Sequence, residues 1–445
     1  MMKKKKLKIA LCILLCIVAC FAIYRFFLRK SIPEGTAEEK VMAILQQNDC
    51  FVCHSKNAEL PFYASFPIIG NKIKEHVTHG TNFIDLKEKL ADLNNVDEVT
   101  LSMLDHAITY DRMPLTAYKL IHWGTGFNAK EKSVLAAWIH EKRGSDEPIS
   151  AIPDSIPYDV AKARLGEKMY NDKRISLDGT ISCATCHVLE KGGADKTTTR
   201  TSEGINGQFG GINAPTVYNA CFNVRQFWNG RAADLKEQAA GPPANPVEMG
   251  DQTWDQIVAR LSQDAELVAE FQALFPSEGL TESTVTEAIA EFEKTLVTPN
   301  SRFDQFLKGK KDALTAEEQA GYALFKENAC ATCHVGVNMG GKTFERLSIF
   351  GDYYADRDKQ IVYNADDDGL KGFTQNDADL HKFKVPSLRN IALTAPYFHD
   401  GQYNTLEEAV AAMARYELGT EMATEDVQSI VAFLKTLTGK NQHLK

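Results

Sequence analysis

Basic charge is scarce in this chain. Its 50 lysines and arginines stand against 59 aspartates and glutamates, a formal net charge of -9 at pH 7. That sign argues against a nucleic-acid partner, because a phosphate backbone calls for a basic surface. A disulfide framework is also missing. Of ten cysteines, six belong to repeated Cys-x-x-Cys-His motifs and three (Cys12, Cys16, Cys20) lie in an apolar N-terminal stretch. Only Cys221 is left in the body, and between apolar neighbours it reads as a small core residue. Histidine is absent from the whole stretch between His187 and His334.

What is present is one motif three times: Cys50-Phe-Val-Cys53-His54, Cys183-Ala-Thr-Cys186-His187 and Cys330-Ala-Thr-Cys333-His334. Two thiols can add to the vinyl groups of one haem while the adjacent histidine ligates the iron, the attachment signature of haem c. A zinc site or a redox disulfide does not require a histidine directly after the second cysteine. The cofactor expectation is therefore three covalently bound haem c groups.

Haem thioethers are made outside the cytoplasm, so the chain is expected to be exported. Four lysines at positions 3–6 precede an apolar run from Ile9 to Tyr24, and Arg25 can snorkel to extend it through Leu28. This reads as an uncleaved anchor in a bacterial inner membrane with the catalytic domains in the periplasm. A cleaved signal peptide and a lipoprotein site at Ile17-Val-Ala-Cys20 are the rival readings.

Each motif follows a short helical pattern (38–47, 161–171, 316–327) and is later matched by a second amphipathic helix (131–142, 282–296, 425–437). A helix at each end of a haem unit is the plan of a small cytochrome c. The fold class is thus mostly α, with three cytochrome c-like haem domains behind an N-terminal transmembrane helix. The boundaries are 1–30 for the anchor, 31–148 for the first haem domain, 149–304 for the second and 305–445 for the third. Met113 is the leading sixth ligand of the first haem, with Met103, His76 and His79 as alternatives. Met413, on a helix over 405–416, is the leading one for the third, with Met422 as the alternative.

From about Ile156 onward the chain resembles the bacterial di-haem cytochrome c peroxidases. The blocks that carry this are 177–187, Ile212-Asn-Ala-Pro-Thr216, Phe227-Trp-Asn-Gly-Arg-Ala232, Asn245-Pro-Val-Glu-Met249, 298–303, 383–390 and 394–401. With its extra haem unit the whole is similar to the tri-haem quinol peroxidases. The resemblance implies that the His187 haem reduces hydrogen peroxide and that the His334/Met413 haem feeds it electrons. Glu248 then moves the proton, Gln238 orients peroxide, Trp228 lies between the two haems and Phe227 lines the pocket. Asn213 with the carbonyls of Thr394 and Pro396 matches a calcium site, while Asp366-Asp-Asp368 reads as a solvated loop. His381 and His399 read as structural or propionate contacts.

One departure matters. Where many relatives keep a histidine that blocks the peroxidatic iron, this sequence has Ile205. The expected function is reduction of hydrogen peroxide with electrons from membrane quinol, with a soluble cytochrome c as the alternative donor. A pure electron carrier or redox sensor and a protein-oxidising haem enzyme are the readings from other classes. The resemblance leaves room for a homodimer. Met249, His122 and His140 are the side chains that could close the His187 iron instead.

Overall fold

The computed structural model describes residues 2–23, 31–122, 124–195 and 199–441. It divides into two compact units, Met1–Asp146 and Glu147–Lys445.

The N-terminal helix α1 (Met2–Ile23) corrects one expectation. Among the described residues no helix is long and apolar enough to cross a membrane. The lysines of positions 3–6 and 8 occupy its first two turns, so only residues 9–23 are continuously apolar. At 1.5 Å per residue they span about 22 Å, short of a hydrocarbon core of about 30 Å. The extension through Arg25 to Leu28 lies outside the described residues.

In the first unit, α2 (Ala37–Gln47) leads into the Cys50–Cys53 turn and α3 (Pro67–Phe83) follows it. Helices α4 (Glu98–Thr109), α5 (Thr116–Ile121) and α6 (Ala129–Arg143) complete it. Reciprocal capping boxes, Thr36 with Glu39 and Asn128 with Glu131, start α2 and α6 where the sequence places its first periodic apolar residues. Val41, Ile44 and Leu45 of α2 and Leu135, Trp138 and Ile139 of α6 are buried. Arg143 ties α6 to α4 through Glu98 at 2.7 Å and Asp105 at 3.0 Å.

The second unit uses one helix crossing twice. α7 (Val160–Asn171) and α8 (Leu235–Ala240) pack on α9 (Glu282–Lys294), and α10 (Ala316–Glu327) packs on α12 (Thr424–Lys435). A glycine makes each close approach. A Cβ on Gly166 would run into the Ala288 carbonyl of α9, and one on Gly321 into the Ser429 carbonyl of α12. Phe292 and Phe433 sit beside these points, fully buried. The six flanking helices expected from sequence are thus present within one or two residues of their expected ends.

Between the crossings the chain repeats itself more deeply than its helices reveal. Pro215, Asn219, Phe227, Gly230 and Leu235 recur at equal spacing as Pro386, Asn390, Phe398, Gly401 and Leu406. Asn219 and Asn390 both take left-handed backbone, as do Phe227 and Phe398. Each asparagine precedes a short 3-10 turn (Ala220–Phe222, Ile391–Leu393). The repeats end on α8 and on α11 (Leu406–Leu418). A two-stranded antiparallel ribbon, β1 (Phe344–Arg346) with β2 (Lys382–Lys384), is the only sheet among the described residues.

Candidate peroxidatic site and haem attachment sites

Each Cys-x-x-Cys-His motif forms one helical turn ending on its histidine. None of the six motif cysteines is in a disulfide, and each is partly accessible. Burial pushes the Cys50, Cys183 and Cys330 thiols up to about 12. Burial also lowers the pKa of His54, His187 and His334, so each imidazole is neutral and carries a lone pair. His54 Nδ1 donates to the Gly80 carbonyl at 3.0 Å and His334 Nδ1 to the Met339 carbonyl at 3.1 Å. A backbone acceptor on Nδ1 leaves Nε2 as the ligating atom, the usual arrangement behind a metal-bound histidine. The Gly193 and Pro215 carbonyls face the His187 ring in the same sense, although Nδ1 makes no hydrogen bond of good geometry. Lys384 is a further fit to haem. It is buried, burial brings its ammonium down to about 8, and no carboxylate among the described residues pairs with it. A haem propionate is the anion such a cation accommodates. The donor sets therefore suit haem c.

The chemistry-bearing groups of the second unit meet around Glu248. Asn245 closes a tight turn by accepting from the backbone N–H of Val247 and Glu248, and its side-chain amide donates to Glu248 Oε1 at 2.7 Å. Burial raises the Glu248 pKa, and the Arg231 charge opposes that rise. The Arg231 guanidinium lies 3.5 Å from the Phe227 ring centre. Asp366 acts on both Arg231 and Glu248, and burial raises its own pKa. Phe227 and Gln238 converge on Gly241, where a Cβ would lie 3.3 Å from the Phe227 ring tip and 3.5 Å from the Gln238 carbonyl. The structure thus brings Glu248 together with Arg231 and Asp366, and Arg231 with Phe227, while of Gln238 it is the backbone carbonyl that lies near the Phe227 ring.

Ile205 lies against the same turn. Its backbone N–H points at the carbonyls of Val247 (3.2 Å) and Glu248 (3.3 Å), and its side chain is buried against Gly250. The position that the resemblance aligns with a blocking ligand therefore backs onto the Glu248 turn, and here it holds an aliphatic chain. Met249 is buried in a cluster with Leu165, Met169, Ile257 and Phe271, and its carbonyl accepts from Leu177.

Trp228 donates from Nε1 to the Asn213 carbonyl at 2.9 Å, and the Asn213 N–H donates to the His399 carbonyl at 2.7 Å. His399 is the repeat counterpart of Trp228, and their rings are 6.4 Å apart with Phe383 touching both. The Asn213 side-chain amide donates to the Arg200 carbonyl, which leaves its oxygen for a cation. Thr394 and Pro396 lie on the segment that carries this contact to His399. Met413 is half-buried on α11 with Leu347, Tyr353 and Phe383, whereas Met422 packs with the α10–α12 core. In the first unit Met113 is 37 % exposed on the segment joining α4 to α5, while Met103 is in the core.

A second sequence reading is corrected in part. Of residues 366–368, read as a solvated loop, Asp366 and Asp368 are partly exposed but Asp367 is not solvated. Asp367 is 1 % exposed and takes Arg357 at 2.7 Å and His399 Nε2 at 2.9 Å, which hold its carboxyl far below the usual range. Sequence reasoning also assigned no role to Arg231, Asn245 or Lys384. All three stand inside the quoted blocks.

Three profiles match the chain in succession. They are described as haem-binding domain over residues 28–141, di-haem cytochrome c peroxidase over 160–312 and cytochrome c over 318–438. "Cytochrome c peroxidase Ccp" of Escherichia coli (strain K12) is 42 % identical over 415 residues, covering 90 % of this chain and 88 % of that protein. The chain belongs to the di-haem cytochrome c peroxidase family. It is a haem peroxidase that carries covalently bound haem c. "Cytochrome c551 peroxidase" of Nitrosomonas europaea is 46 % identical over 303 residues, 68 % of this chain and 87 % of the relative. Among solved structures, a MauG-like protein associated with microbial copper homeostasis aligns at 31 % identity with a TM-score of 0.56, over 66 % of this chain and 93 % of that one.

Proposed function

We propose that this peroxidase reduces hydrogen peroxide at a haem held by Cys183, Cys186 and His187, with three haem c groups per chain. The observation that carries the reading is the Glu248 carboxyl, buried beside Arg231 and next to an Ile205 that offers iron no ligand. The haem supplies an iron that binds peroxide and accepts electrons one at a time. Glu248 takes the proton from one peroxide oxygen and returns it to the other, and its raised pKa suits both directions. Gln238 and the Arg231 charge orient and stabilise the separating oxygens. Two electrons and two protons convert one peroxide to two waters. Trp228, between the two halves of the second unit, supports electron passage from the His334/Met413 haem.

The donor reading is quinol, delivered to the haem of the first unit on His54 and Met113. The additional haem-binding domain, absent from the two-thirds of the chain shared with the Nitrosomonas relative, supports this. The names of the curated relatives favour a cytochrome c donor as the second reading. Covalent haem attachment supports a location outside the cytoplasm. By the resemblance, Asn213 with the Thr394 and Pro396 carbonyls would hold a Ca2+ ion, which suits an oxygen-only donor set. Steady-state peroxide consumption with a short-chain quinol, with reduced cytochrome c and with no donor tests the reading. Turnover with quinol supports it; turnover with cytochrome c alone moves the donor to the second reading.

A further inference from the structure

The first unit contains a polar chain that the peroxidatic chemistry does not use. Tyr63 O–H points at His122 Nε2 in a short hydrogen bond. On the opposite side of the ring, His122 Nδ1 lies 3.3 Å from Asp49 Oδ2. Tyr118 stacks on the His122 ring at 3.9 Å and donates to the same Asp49 oxygen at 3.0 Å. Asp49 directly precedes Cys50, the first haem-attachment cysteine, and takes left-handed backbone to start that turn. The chain Tyr63–His122–Asp49 therefore runs from a phenol to the edge of the haem attachment site.

Tyr63 also stands in an apolar surface. Phe62 touches it edge-on at 5.5 Å and Phe66 touches Phe62 at 6.0 Å. Phe62 is 81 % exposed, Phe66 48 % and Leu120 71 %, with Leu60 and Leu115 also exposed. Aromatic and aliphatic side chains at such exposure cluster where a ligand or partner covers them. A polar relay alone would fit a structural network, and an apolar surface alone would name no occupant. Together they describe a ligand that is flat, apolar and a proton donor.

We infer that the Phe62/Phe66 surface binds the ring of a quinol, and that Tyr63, His122 and Asp49 receive its hydroxyl protons while the first haem receives its electrons. This rests on the quinol reading above and adds its site. The quinol O–H donates to the Tyr63 oxygen, Tyr63 passes its proton to His122 Nε2, and the His122 Nδ1 proton moves to Asp49. The second O–H follows after the relay discharges to solvent through the part-exposed Asp49 carboxylate. Two O–H bonds break, two electrons leave singly through the haem, and the quinol becomes a quinone. The two electrons are those consumed in reducing one peroxide.

The test uses the full-length holoprotein and its Tyr63→Phe, His122→Gln and Phe62→Ser variants, each checked for haem content by absorbance. Two quantities are read. One is the ratio of quinol-driven to dye-driven peroxide reduction. The other is calorimetric binding of a redox-inert hydroxyquinoline oxide, an analogue of the quinol head group. The site requires Tyr63→Phe and His122→Gln to lower the ratio by roughly 10²-fold or more, the range for losing a positioned proton acceptor, with analogue binding retained. It requires Phe62→Ser to weaken analogue binding about tenfold. Ratios and binding equal to the parent in all three variants overturn the site while leaving quinol as the donor. A parent protein that oxidises no quinol overturns the donor reading and the site together.

Discussion

Glu248 illustrates how a single side chain is prepared for acid–base work. Burial favours its neutral form, Arg231 favours the charged form, and the Asn245 amide fixes one oxygen. Glu248→Gln keeps the shape and the acceptor for Asn245 but removes the proton-accepting oxygen. Peroxide reduction is expected to fall roughly 10²–10⁴-fold in stopped-flow assays, the range for a lost general base; an unchanged rate would assign the proton to another carrier. Glu293 is the contrasting buried carboxyl. Nothing bonds its Oε2, and burial raises its pKa from 4.5 to about 8. The unfolded chain releases that proton near 4.5 and the folded chain holds it to about 8. Stability therefore falls as pH rises across this window and levels off above it. Glu293→Gln should raise the melting temperature more at pH 8 than at pH 5, and equal shifts at both would show the group titrates normally.

At the scale of elements, the helix crossings depend on two glycines. Alanine at position 321 gains helix preference of up to about 1 kcal/mol, but its methyl group would press on the Ser429 carbonyl and lie 3.0 Å from Phe433 Cβ. Overpacking of this kind costs about 1–3 kcal/mol, so Gly321→Ala should lower the denaturation midpoint of the second unit; a raised midpoint would mean the helices part without cost. The crossings show what sequence patterns can convey. Cys-x-x-Cys-His spacing and three- and four-residue apolar periodicity are local, so the attachment turns and their six flanking helices were legible. The Asp367 ion pairs were not, because Arg357, His399 and Asp367 meet only when loops far apart in sequence are folded together. The N-terminal helix was misread for a different reason. Lysines fill the start of the described helix and shorten its apolar stretch, and the expected extension past Ile23 lies outside the described residues. Trp228 and His399 were each singled out, yet their equivalence became visible only once both were seen on matching turns.

At the scale of the whole molecule, the groups invoked in the proposed function are divided between the two units. One unit holds the first attachment motif and the Tyr63–His122–Asp49 relay, and the other holds two attachment motifs and the Glu248 pocket. Ile205 gives this arrangement a testable consequence: an aliphatic side chain, which cannot ligate iron, stands against the Glu248 turn, and Met249 is buried in the core. The resting enzyme should then be ready for peroxide without prior reduction. Electron paramagnetic resonance of the fully oxidised, as-isolated holoprotein tests this most directly. The expected spectrum contains one high-spin ferric haem and two low-spin ferric haems; three low-spin signals with no high-spin component would contradict an open His187 site.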